Sequence, residues 1–270
     1  MNMRCVFSII GTVILLGSSV PAAPEWQAEL SPAALGKHPR ITPLALDFQL
    51  SWKGALNSGG VTIQFGPRNA NKPGAFVVKS SAESQGLAAT LFPYEHQFWS
   101  ELHQENLRPR LFCAVETDAK ETTTTTNRYL ANKVDSAEVT KVHKTGLTTT
   151  TNEAFSFSPV HDLFSAMIFV RSQALAGGDK IALVVMPFKT PYLLRVQVVG
   201  REVHLNQQAI KLSVSMQKID RATLELKPYK KLNRNATLWL SDDADRIPLE
   251  LRADVFVGDV RAVLTAKRPL

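Results

Sequence analysis

Apolar and polar residues alternate along most of this chain. Leu44, Leu46, Phe48, Leu50 and Trp52 take every second position between Ala45, Asp47, Gln49 and Ser51. That is the period of a strand with one face buried and one wet. Asn57-Ser58-Gly59-Gly60 reads as a turn, after which Val61, Ile63 and Phe65 resume the alternation. Further strands are predicted at Gly74–Ser81, Tyr94–His103 and Leu107–Glu116, with a short helix over Gln85–Phe92. The same pattern returns at Ile181–Val185, Leu194–Val198, Ile210–Met216, Leu238–Leu240, Ile247–Ala253 and Val260–Leu264. The Thr runs Thr122–Thr126 and Thr148–Thr151 suit exposed faces of a meander, because β-branched side chains fit the pleat.

One segment has helical spacing. Val160, Leu163, Phe164, Met167 and Ile168 fall at i, i+3, i+4, i+7 and i+8, which gathers them into one stripe. Ser158 as N-cap with Pro159 at the first helical position would open this helix, and Gly177-Gly178 would stop it. Phe169 lies off the stripe, so more than one layer should cover the helix. Together these elements predict a mainly β chain. A single domain over 43–268 holds a curved antiparallel sheet, a clam or an open barrel or sandwich, with one main packed helix near 159–173. Residues 23–42, rich in Pro and Ala and without period, read as a leader arm.

The N-terminus changes the compartment. Arg4 precedes an apolar run from Cys5 to Gly17, followed by the small-residue stretch Ser18–Ala22. About 13 apolar residues are too few for a span of about 20, so the segment reads as a signal peptide cleaved after Ala22. The mature chain is then expected in the periplasm, with no transmembrane span. A lipid-anchored protein would carry its Cys at the end of the apolar run, whereas Cys5 begins it. Cleavage leaves Cys113 as the one cysteine, with no disulfide to form, and its alternating surroundings suit a buried apolar role. Loss of Arg4 leaves 30 basic residues against 24 acidic, a charge of about +6. These charges are scattered, and exported proteins rarely meet nucleic acid, so no nucleic-acid partner is expected.

Candidate chemistry is sparse. Asp242, Asp243 and Asp245 lack the Gly and the distal Glu of a calcium loop, and suit a hairpin turn instead. His96 and His103, seven apart in a strand, point to opposite faces, and His143 and His204 stand isolated, so no metal and no cofactor is expected. Ser158, His161 and Asp162 have the residue types of a triad but sit too close on one predicted helix to form a nucleophile–base chain. Arg171 resists a bland reading. At 100° per residue it falls inside the apolar stripe, where a charge needs a partner or a wet helix end. A carboxylate such as Glu202 or Glu250 would supply the partner. If Arg171 lines a cleft, it is the candidate binding residue for an anionic head group or sugar acid.

The order of these segments also resembles a known family. Asp162–Met167 with Arg171, then Leu194–Glu202, then Leu238-Trp239-Leu240-Ser241-Asp242-Asp243 through Arg246 and Pro248, then Gly258–Ala262, are similar to the exported bacterial family termed domain of unknown function 3108. Phe48–Phe65, Gly86–Phe92 and Leu107-Arg108-Pro109 match its earlier elements more loosely. The resemblance implies an envelope-exposed β fold and no activity. Three functions follow as expectations. The first is a non-enzymatic envelope protein holding lipid or glycan in a concave sheet. The second is a structural component with an envelope protein partner, and the third a polysaccharide hydrolase with two facing carboxylates.

Overall fold

The structure is a computed structural model that describes residues 23–38, 42–52, 54, 56–66, 75–230, 232, 234–255 and 258–270. The expected signal peptide lies outside the described residues. The strands are β1 (Leu44–Trp52), β2 (Leu56–Phe65), β3 (Ala75–Ser84), β4 (Tyr94–His103), β5 (Pro109–Asp118), β6 (Glu121–Tyr129), β7 (Val134–Val142), β8 (Thr148–Phe155), β9 (Lys180–Val185), β10 (Tyr192–His204), β11 (Gln207–Ile219), β12 (Leu226–Pro228), β13 (Ala236–Ser241), β14 (Pro248–Val255) and β15 (Gly258–Pro269). Helix α1 covers Gly86–Leu91 and helix α2 Leu163–Ser172.

All the strands join one antiparallel sheet in the order β8-β7-β6-β5-β4-β3-β2-β1-β15-β14-β13-β11-β10-β9, with β12 beside β11. The order is nearly the chain order because each hairpin closes on its neighbour. The pairing of β1 with β15 stitches the two ends of the domain together. The sheet curls until its terminal strands approach each other. Side chains, not a hydrogen-bond ladder, hold that seam. Asn127 Nδ2 donates to the carbonyls of Met186 (3.0 Å) and Phe188 (2.9 Å), and Tyr129 Oη donates to Met186 (2.7 Å). Ion pairs Lys189–Glu138 and Arg221–Glu153, each 2.9 Å, flank it.

Inside the curl lies α2. Its run Leu163-Phe-Ser-Ala-Met-Ile-Phe-Val is apolar nearly all round, the composition of a helix covered on every side. Phe164 and Ile168 pack with Leu46, Phe65, Phe98 and Phe112 on one wall. Ala166, Phe169 and Val170 pack with Ile181, Leu183, Val196, Ile210 and Leu240 on the other. The two layers anticipated from Phe169 are therefore both present.

The helix begins later than its sequence signals suggest. Asp162, not Ser158, is the N-cap. Its carboxylate accepts from Ser165 N (2.7 Å), while Ser165 Oγ accepts from Asp162 N (2.9 Å). Residues 158–161 are held elsewhere: His161 N donates to Val184 O, and His161 O accepts from Met186 N, both at 2.8 Å. The edge of β9 has claimed the backbone groups that another helical turn would need. The Ser158–Pro159 peptide is cis. The helix also ends at Ser172, short of Gly177.

Asn57–Gly60 likewise is not a turn but the start of β2. Gly59 is required there by close approach, since a Cβ would lie 2.4 Å from Glu83 O on β3. The arm at 23–38 is docked. Trp26 is buried and donates from Nε1 to Leu224 O (2.9 Å), and Ser31 N donates to Ala182 O (2.9 Å) on the β9 edge. The opposite edge, β8, is bare and exposed from Thr148 to Asn152. One edge is thus covered and the other is left polar, two ways to discourage edge-to-edge association.

Candidate functional site

The richest concentration of polar groups inside the curl lies at the N-terminus of α2. Cross-strand pairing sets Ser100, Phe112, Asn127 and Ser136 in one row of the inner face. Ser100 Oγ donates to Asp162 Oδ2. Asp162 is fully buried; that burial pushes its carboxyl above the usual range, and hydrogen bonds from Ser100 and Ser165 oppose the shift. His161 is 3% exposed, and burial, reinforced by the Arg108 charge, lowers it to about 4, so the ring is neutral at pH 7. Burial likewise raises the Tyr129 phenol well above its ordinary value, and the Asp162 charge adds to that.

Four buried polar atoms here have no hydrogen-bond partner: Arg108 Nη2, Asn127 Oδ1, Ser136 Oγ and His161 Nδ1. A native interior leaves few such atoms, because each costs about 1–3 kcal/mol. Arg108 and Tyr129 border a cleft of about 300 Å³. The β4–β5 turn supplies His103 and Asn106. The β6–β7 turn supplies Leu130 and Ala131, and the segment before α2 supplies Phe157, Pro159 and Val160. Asn106 Oδ1 accepts from Arg108 N (3.0 Å), and Leu107 between them adopts φ +53°. A left-handed conformation is uncommon for a bulky residue, and it marks the turn that carries Arg108. A second cleft of about 320 Å³ runs across β1–β4 near Phe48, Ala82 and His96. Burial lowers His96 to about 4, and its Nε2 lies 3.2 Å from Ser80 Oγ.

A family model described as "Protein of unknown function (DUF3108)" matches residues 47–265. The chain belongs to that family. No curated protein matches its sequence. Among solved structures, a β-barrel-like protein of a different unknown-function family, DUF1849, from Brucella abortus is similar over 85% of this chain and 98% of its own. Its TM-score is 0.54 at 11% identity, a likeness of fold alone. A candidate lipoprotein from Parabacteroides distasonis (TM-score 0.33, 6% identity) and a candidate exported protein of YmcC-like fold from Bacteroides fragilis (0.31, 9%) each align over 87% of this chain and 99% of theirs.

The Trp-Leu-Ser-Asp-Asp segment that carries the DUF3108 resemblance builds a clasp on the C-terminus of α2. Asp243 Oδ1 accepts from Ser241 Oγ, Asp245 N and Arg246 N, all at 2.9 Å, which folds the turn on itself. Arg246 then donates to the carbonyls of Arg171 (3.0 Å), Ala174 (3.0 Å) and Gln173, orphan acceptors at the end of the helix. In return Arg171 Nη2 donates to Asp245 O (2.6 Å), and its guanidinium lies 5.4 Å from the Phe65 ring centroid. Burial lowers Arg171 to about 10, with Asp245 and Asp243 opposing, so it stays charged at pH 7.

Arg171 thus meets neither Glu202 nor Glu250. Those carboxylates lie on the other face of the sheet around Trp239. Glu202 Oε1 accepts from Trp239 Nε1 (2.8 Å), and Glu250 accepts from His204 (2.8 Å) and Arg252 (2.8 Å). His204 is therefore not isolated. Its ring stacks on Trp239 at 4.2 Å, because β10, β11, β13 and β14 lie side by side. His143 also has a partner, Thr122 Oγ1 at 3.0 Å. Cys113 is buried, and that burial raises its thiol, as a packing residue requires. No cluster of three metal-ligating side chains occurs among the described residues. Sequence reading singled out Arg171 and missed Arg108. The signal available was an Arg sitting between a turn Asn and a Pro.

Proposed function

We propose that this DUF3108 chain is an exported, periplasmic, non-enzymatic protein of the cell envelope that holds a small amphiphile at the seam of its sheet. The observation that carries the reading is the cleft beside Pro159, an opening next to an inner volume otherwise occupied by α2 and the aromatic side chains around it. Its wall sets Leu130, Ala131, Val134 and Val160 beside the polar His103, Asn106, Arg108 and Ser158, a mixture that suits an amphiphile. A volume of about 300 Å³ suits a short chain, not a whole membrane lipid. Export rests on the apolar run Cys5–Gly17 and the small residues up to Ala22, and release without a lipid anchor on the early position of Cys5. A binding role without chemistry fits the partnering of the obvious candidates: Glu202, Glu250 and His204 are tied to one another's neighbours around Trp239.

The test uses full-length protein recovered from the exported fraction and titrated with decanoate and decanol by calorimetry. Exposed Ala131 borders the cleft, so Ala131→Trp plugs it without disturbing the core. At least one of the two probes is expected to bind the wild type at one site and Ala131→Trp at least tenfold more weakly. Absence of binding to the wild type, or equal binding to the plugged variant, overturns the reading.

A further inference from the structure

Arg108 is the one charged side chain on the wall of the Pro159 cleft, and its Nη2 is buried with no hydrogen-bond partner. Arg171 Nε is also without a partner, but the guanidinium groups of Arg171 and Arg246 donate through other nitrogens to backbone carbonyls. A guanidinium donor shut away from water and left without an acceptor is destabilising unless something arrives to accept from it. Deeper in, His161 Nδ1 is also orphaned, and the ring is neutral. The local charge available to a ligand is therefore a single positive one.

We propose that the cleft takes a monoanionic carboxylate with a short apolar tail, its head group on the Arg108 guanidinium and its tail along Leu130, Val134, Phe157 and Val160. The inference rests on the binding reading above and names the ligand class. A carboxylate matches a guanidinium in shape as well as charge. A dianionic phosphate monoester is less suitable. The wall offers one guanidinium, which compensates one negative charge and leaves a second without a partner.

Four titrations decide the matter: decanoate, decanol and decyl phosphate against the full-length exported wild type, and decanoate against Arg108→Gln. Decanoate is expected to bind the wild type at least tenfold more tightly than decanol, and Arg108→Gln is expected to remove that advantage. Circular dichroism confirms that the variant is folded. Equal binding of decanoate and decanol, unchanged in Arg108→Gln, overturns the carboxylate assignment and leaves the cleft reading standing. Decyl phosphate binding tenfold more tightly than decanoate overturns it in favour of a phosphate head group. If neither decanoate nor decanol binds the wild type, the cleft reading itself fails, and the inference with it.

Discussion

The two ends of α2 treat their buried charges differently. At the C-terminus, Arg246 and Arg171 exchange hydrogen bonds with the backbone of the helix end and of the Asp-rich turn, and Asp243 closes that turn from within. At the N-terminus, Asp162 is satisfied by Ser100 and Ser165, but Arg108 and His161 beside it keep atoms without partners. Both ends belong to the same interior and are packed by the same helix. The C-terminal end has an orphan too, Arg171 Nε, but it sits among hydrogen bonds that tie the helix end to the turn. At the N-terminal end the orphan donor of Arg108 belongs to a residue that borders a cleft. Under the proposed binding reading, the first end serves structure and the second recognition.

The sharpest break in that comparison comes at Arg246. Replacing it by Ala strips three helix-end carbonyls of their donor at once and leaves them buried. Charged hydrogen bonds contribute about 1.5–3 kcal/mol each and are not additive, so a loss of about 3 kcal/mol in chemical denaturation is expected. Arg246→Lys keeps the charge without the fork and should recover part of it. A loss under 1 kcal/mol for Arg246→Ala would show that the clasp is not structural.

Asp162 comes next. Removing its side chain deletes the cap and orphans Ser100, for an expected loss of about 2 kcal/mol in Asp162→Ala. Asp162→Asn keeps an acceptor for Ser165 N and discards the buried charge. The folded carboxyl titrates above its unfolded value of 3.8. The native state therefore holds its proton more tightly, and the ionised group lowers stability once pH exceeds the folded pKa. Asp162→Asn removes that cost. Its stability at pH 7 is expected within about 1 kcal/mol of wild type. Equal losses in both variants would mean that the charge, not the cap geometry, is what α2 requires.

How far each end could be read in the sequence follows from what fixes it. The strand pattern of Leu44–Trp52 is local, and it appears as expected in β1. The start of α2 is not local. Ser158 and Asp162 are both good caps, and the choice between them is made by Val184 and Met186 on β9. The burial of Arg171 was legible from the helical period, but its partner was not, because a period gives a face and says nothing about which turn lies against it. Trp239 and Glu250 are cross-strand neighbours, and they draw in His204 from a strand some forty residues away, so only the pairing register reveals that cluster. Arg108 was the hardest to foresee. Its chemistry is the absence of a partner, and an absence is a property of the folded interior.

His161 offers a weaker probe of the N-terminal end, through pH. Its folded value of about 4 lies below the ordinary 6.5, so the unfolded chain takes up a proton that the native chain refuses. Stability is then complete above about pH 6.5 and declines as pH falls toward 4. His161→Gln removes the titration. Denaturation midpoints across that window should fall less steeply by an amount on the order of 2 kcal/mol at the acid end, with His96 supplying part of the decline that remains. An unchanged slope would mean that His161 is wetter than its place behind the cleft implies.

The smallest effect expected is the most informative. Arg108 lines the cleft, and its buried Nη2 makes no hydrogen bond, so Arg108→Gln deprives no acceptor of that nitrogen in the unliganded protein. Its stability should stay within about 0.5 kcal/mol of wild type, against the large loss for Arg246→Ala in the same denaturation assay. The pair of variants compares an arginine that holds several backbone carbonyls with one whose buried nitrogen has no partner. A loss as large as that of Arg246→Ala would show that Arg108 holds the turn at Leu107 in place. The N-terminal end of α2 would then be as structural as the C-terminal one.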